Sequence, residues 1–192
     1  MPRTIKAFTL LESLLTLLIV SFVIAASGML FSALMRQQQV VREVSKGDEI
    51  LGDAFRTVVR VVRHGRMVVV DSPVFGSGAS AADRLTVQVP EPDGTVPENV
   101  AIQFRVVDGV LLKRRADEAS PGTALAPGAV DLQVVYYFRV GEERYVLPGT
   151  VGTKSFGIAD ATEVELTIDL DYGRQRFRQS TTVALRNRLA TL

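Results

Sequence analysis

Residues 13–35 carry no charged side chain, and this run restricts the possible folds more than any other feature. About 23 uncharged residues wound as an α-helix rise far enough to cross roughly 30 Å of hydrocarbon. Arg3 and Lys6 precede the run; by the positive-inside rule they hold the N-terminus in the cytoplasm and place the chain beyond Met35 outside. An ordinary secretory signal has an apolar core of about 7 to 15 residues that ends at small residues. Ala25-Ala26-Ser27-Gly28 supplies small residues, but apolar sequence continues through Met29, Leu30, Phe31 and Leu34. An anchor therefore fits better than an export signal cut after the apolar run.

One charge stands at the edge of the run, Glu12 in Lys6-Ala7-Phe8-Thr9-Leu10-Leu11-Glu12-Ser13. Two readings account for it. In the first, Thr9 is an N-cap and Glu12 reaches back to close a capping box, satisfying the first orphan N–H groups of a helix. In the second, a carboxylate at the membrane boundary costs a few kcal/mol unless paired, and so marks a specific partner, for which an amine is suited.

This segment resembles the class III signal of type IV pilins and type II secretion pseudopilins. The resemblance implies a prepilin peptidase that cuts between Ala7 and Phe8 and N-methylates the new Phe8 amine. It also implies that Glu12, at the fifth mature position, pairs with the N-terminal amine of a neighbouring subunit. Implied partners are other pilin or pseudopilin subunits, the cytoplasmic membrane before assembly, and an assembly platform. Ala7 stands where the family usually has glycine. The apolar helix also lacks the proline that many major pilins carry, leaving Gly28 and Gly47 as its weak points.

Beyond Met35 the helical pattern becomes amphipathic, with Val40, Val44, Gly47, Leu51, Phe55, Val58 and Val62 recurring at steps of three or four. Opposite them lie Arg42, Glu43, Lys46, Glu49, Asp53, Arg56, Arg60 and Arg63, and His64-Gly65 supplies a stop. The predicted helix is about 57 residues long, on the order of 85 Å, so its outer half is expected to lie on a globular head. The expected organisation is a leader over residues 1–7, a membrane and filament-core helix over 8–35, an amphipathic half over 36–65, and a β-rich head over 66–192. Arg56, Arg60 and Arg63, with Arg66 and His64, could contact DNA phosphates. The alternative is a solvated face whose C-terminal cations favour the helix dipole.

After Gly65 the period changes to two. Strands are predicted over residues 66–70, 84–89, 101–107 and 110–114, the last two joined by Asp108-Gly109, a tight-hairpin dipeptide. A second pairing joins residues 131–140 to 144–147 across Gly141-Glu142-Glu143. In a third, alternating Val164, Leu166, Ile168 and Leu170 turn at Tyr172-Gly173 into residues 177–185. The expected fold is α+β, a long N-terminal helix packed on one antiparallel sheet, which the pilin fold also has. The order of these strands, closing on Ser180-Thr181-Thr182-Val183-Ala184-Leu185-Arg186-Asn187-Arg188, resembles the PilW-like minor pilins and J-type pseudopilins. That implies a subunit used in small numbers, to prime assembly or to form a tip.

The chemistry that the chain could carry is narrow. With no cysteine and one histidine, His64, thiolate sites, redox chemistry and multi-histidine metal centres are excluded, and nothing calls for a cofactor. A formal net charge of +1 gives no global pull toward nucleic acid. Glu163, Glu165, Asp169 and Asp171 alternate like a calcium or glycosidase set, but Arg174, Arg176 and Arg178 stand on the partner strand, so cross-strand ion pairs account for them. Gly76-Ser77-Gly78-Ala79-Ser80 lacks the lysine of a phosphate loop and reads as a flexible surface loop. Tyr136, Tyr137 and Tyr145 read as packing residues or a sticky patch. No catalytic constellation is present, and the expectation is not an enzyme. The alternatives to a minor pilin are a membrane-tethered exported binding protein and a competence pseudopilin that contacts DNA.

Overall fold

The computed structural model describes residues 10–90 and 99–185. Helix α1, Leu10–His64, has 55 residues and no proline, and it ends where Gly65 donates its N–H to the Val62 carbonyl at 2.9 Å. A side chain at Gly65 would put its Cβ 2.9 Å from that same oxygen, so glycine suits the close approach of the chain as it leaves the helix. The chain divides into two compact units, Met1–Glu43 and Val44–Leu192.

In the first unit the described residues are all helical and all exposed. The hydroxyls in this apolar stretch turn back on the helix: Thr16 donates to the Glu12 carbonyl at 2.7 Å, Ser21 to Leu18 and Ser32 to Met29, each at 2.8 Å. Such back-bonding lets a hydroxyl sit in an apolar environment without an unsatisfied donor.

Among the described residues the second unit holds the rest of α1 and thirteen strands: β1 Met67–Val68, β2 Asp71–Ser72, β3 Gly76–Ser77, β4 Arg84–Pro90, β5 Asn99–Val107, β6 Val110–Arg115, β7 Thr123–Ala126, β8 Ala129–Val140, β9 Glu143–Leu147, β10 Gly149–Val151, β11 Lys154–Phe156, β12 Glu163–Tyr172 and β13 Gln175–Ala184. The expectation of one sheet is corrected. There are two antiparallel sheets, ordered β1-β4-β5-β6-β7 and β13-β12-β8-β9, with small hairpins β2-β3 and β10-β11. The reason is that β8 takes β12 rather than β6 as its long partner, pairing Leu166 with Val134 and Ile168 with Leu132. Each sheet has one apolar face, and both faces close on a common core. At the Asp108-Gly109 turn both residues have positive φ, 51° and 75°, as a tight right-twisted hairpin requires.

Helix α1 enters that core through Leu51, Ala54, Val58 and Val62, which join Leu85, Val87, Phe104, Leu166, Ile168 and Leu170 in one buried cluster. The predicted stripe is corrected at two positions. Ala54 is buried and Phe55 only half-buried, because burial at 47, 51, 54, 58 and 62 follows the 3.6-residue period and Phe55 lies one step round. Val40 is exposed and belongs to the first unit. The Gly76–Ser80 loop is also corrected. Ala79 and Ser80 are buried: the Thr86 amide donates to Ser80 Oγ at 2.8 Å, and Gln103 Nε2 to the Ala79 carbonyl at 3.1 Å.

Gly47 faces the Phe177 ring of β13 closely: a Cβ there would lie 2.5 Å from Phe177 Cε2, whereas one at Gly52 would meet nothing nearer than Arg56 Nη2 at 3.7 Å. Glycine to alanine inside a helix gains about 0.5–1 kcal/mol when space allows. Gly52→Ala is therefore expected to raise stability by about that amount, and Gly47→Ala to show no gain until Phe177 is also cut to alanine. Urea unfolding of these three variants and of Phe177→Ala alone, in detergent, checks this; an equal gain at both glycines would show that the ring yields freely.

Candidate functional site

Of the residues that the sequence singles out, Ala7, Phe8 and Thr9 lie outside the described residues. Glu12 is exposed in the first turn of α1. From there the helix is long and apolar enough to cross a membrane. Leu14, Leu18, Phe22, Met29, Phe31 and Leu34 all stand exposed on it. So large an apolar surface is unfavourable in water, and its presence points to a lipid or protein surround.

Arg56, Arg60 and Arg63 lie on the exposed side of α1. Arg56 Nη2 is 2.9 Å from Asp53 Oδ1, an exposed pair. Among the described residues Arg60 and Arg63 form no ion pair. Arg66 does not join them, since it is half-buried, has its Nε buried, and gives its backbone N–H to the Gln88 carbonyl at 2.8 Å. Phe55, Val59 and the three arginines line an open groove with His64 and, from β13, Thr181. Helix periodicity alone could not show that β13 forms one wall.

The alternating carboxylates of β12 are held by arginines, in part by those expected. Arg178 grips Asp169 as a fork, Nε to Oδ1 and Nη2 to Oδ2 both at 2.7 Å, and Arg176 Nη2 adds a contact at 3.2 Å. Asp131 of β8 stands directly opposite Asp169, and the fork offsets that like-charge pairing. Glu163 is held instead by Arg139 at 2.9 Å and Arg144 at 3.1 Å, two residues that the hairpin pattern of β12 and β13 could not reveal. Tyr137 donates to Glu165 at 2.7 Å, which pushes its hydroxyl above the usual tyrosine range, and Arg144 lies over its ring at 3.9 Å. Tyr136 is buried, its hydroxyl 3.0 Å from the Ala81 carbonyl and 2.9 Å from that of Arg84. It is a packing residue rather than a surface one. Tyr145 is half-buried and hydrogen-bonds Glu143.

The bidentate bond from Arg178, aided by Arg176, holds the Asp169 carboxyl below the usual carboxylate range. A carboxyl depressed in the fold contributes stability above its unfolded value, near pH 4, and loses it as pH falls through the lower folded value. Asp169→Asn is expected to cost about 1–2 kcal/mol at pH 7, kept small by the exposure of both guanidinium groups, and to flatten the loss below pH ~4. Urea unfolding from pH 7 down to pH 3 reads both effects; an unchanged acid slope would show that other carboxylates dominate it. Among the described residues no group of three acidic or histidine side chains is arranged to hold a metal ion.

Comparison of the chain with protein-family models, with curated proteins and with solved structures finds no match.

Proposed function

We propose that this chain is a membrane-anchored subunit of a type IV pilus or secretion-like filament, of the minor, PilW-like or J-type kind, acting in assembly rather than catalysis. The observation that carries the reading is helix α1. Its first part is apolar on all sides and exposed, with the Glu12 carboxylate in the first turn, while its last turns belong to the core of a β-rich head. A simple tether needs the apolar run but not a carboxylate at its edge. A filament subunit uses both, because helices leaving the bilayer bury the run against one another and the carboxylate sets their register on a neighbour's amine.

In this reading Arg3 and Lys6 keep the N-terminus in the cytoplasm, prepilin peptidase cuts after Ala7, and Phe8 becomes the methylated amine that meets Glu12 of another subunit. The chain purified from membranes that contain the peptidase is expected to begin at Phe8 with one added methyl group, read by intact mass. Retention of Met1, or a start elsewhere, would favour a tethered binding protein. Glu12→Ala is expected to insert normally yet to enter filaments about tenfold less or worse, since a pairing worth a few kcal/mol exceeds the ~1.4 kcal/mol that a factor of ten requires. Immunoblots of sheared filaments against membranes measure it; unchanged incorporation would leave Glu12 only a capping role.

A further inference from the structure

The open edge of β13 is the least protected strand edge among the described residues. Strand β13 has ten residues, pairs only with β12 along an unbroken register, and contains no proline. The other edges of the two large sheets are blunted: β1 has two residues, β9 five and is followed by Pro148, and β7 four, with an irregular register against β6, while the strands of the small hairpins have only two or three residues. The Leu185 amide donates to the Thr162 carbonyl at 2.9 Å, in phase with the β12 ladder. By antiparallel alternation, Arg176, Arg178, Ser180, Thr182 and Ala184 therefore turn their backbone N–H and C=O groups outward.

Beside this edge lies the groove with Phe55 and Val59 as apolar walls and Arg56, Arg60 and Arg63 as cations. On the opposite face of the sheet, Arg176 and Arg178 stand more than half exposed. We propose that the β13 edge takes an added strand, an extended acidic segment of a partner polypeptide. Its backbone would pair with β13, and its side chains would alternate between the arginine-lined groove and the face of Arg176 and Arg178. Nucleic acid would satisfy the cations but could not use a ladder of alternating donors and acceptors. A second copy of β13 would bring Arg176 and Arg178 against their own kind.

The test uses the full chain in detergent and a capped, fluorescent peptide of alternating valine and glutamate, with a valine–lysine peptide and duplex DNA as comparisons. Saturable binding of the acidic peptide alone is expected. Reversing charge at Arg60→Glu with Arg63→Glu should weaken it about tenfold or more. Ser180→Pro, which removes an outward N–H and no backbone bond to β12, should abolish it, while Ser180→Ala, which loses only the hydroxyl contact with Thr167 at 2.9 Å, should bind normally. Two further peptides, N-methylated on every valine or on every glutamate, separate strand pairing from charge: one should fail and the other bind, and this holds if Ser180→Pro does not fold. Absence of saturable binding, equal binding of both methylated peptides, preference for DNA with Ser180→Pro without effect, or self-association that Ser180→Pro breaks would each overturn the proposal.

Discussion

Val58→Asp is expected to abolish cooperative unfolding of the head, or to lower its stability by about 4 kcal/mol or more. Val58 is fully buried on α1, in one cluster with residues of both sheets. The arginines of this part of the helix, Arg56, Arg60 and Arg63, lie on its exposed side, so none of them meets a carboxylate there. The group must take up a proton, or the helix must leave the core. Arg60→Asp, two residues away and exposed, is expected to change stability by no more than about 0.5 kcal/mol. Limited proteolysis and urea unfolding of both variants in detergent check the contrast. A tolerated Val58→Asp would mean that the head is stable without its helix.

Phe104→Ala is expected to cost about 3–5 kcal/mol, the range for deleting a large buried aromatic. Phe104 is fully buried on β5, between Leu85 of β4 and Lys113 of β6 in the strand register. Its neighbours are held on two sides by the ladder and cannot collapse fully into the space left behind. Phe104→Leu, which keeps much of the volume, should cost markedly less. A loss below about 1 kcal/mol for the alanine variant, read from the urea midpoint at constant slope, would show that the core repacks around the gap.

The sequence made local features legible and misjudged the ones that depend on distant partners. The apolar run, the stripe through Leu51, Val58 and Val62, and the hairpin at Asp108-Gly109 all rest on periodicity or turn chemistry within a few residues. The Arg176 and Arg178 partners of Asp169 were legible too, because a tight turn fixes the register of β12 and β13. Arg139 and Arg144 as partners of Glu163 were not, since they belong to strands far away in sequence. Ser80 and Ala79 looked like loop residues for the same reason: Thr86 and Gln103, which bind them, are set by a sheet that local composition does not describe.

Alternation states which face of a strand is apolar, but it is silent on which strand lies beside it. That is why one sheet was expected and two formed, once β8 chose β12. It is also why the edge of β13 and its groove with α1 belong to the tertiary structure alone. By itself, the sequence determined that this chain carries a helix able to cross a membrane, with Glu12 at its edge and a β-rich head beyond it. Chain-distant pairing decided which strands close the core and which edge stays open, because a strand's own residues encode its two faces and not its neighbours.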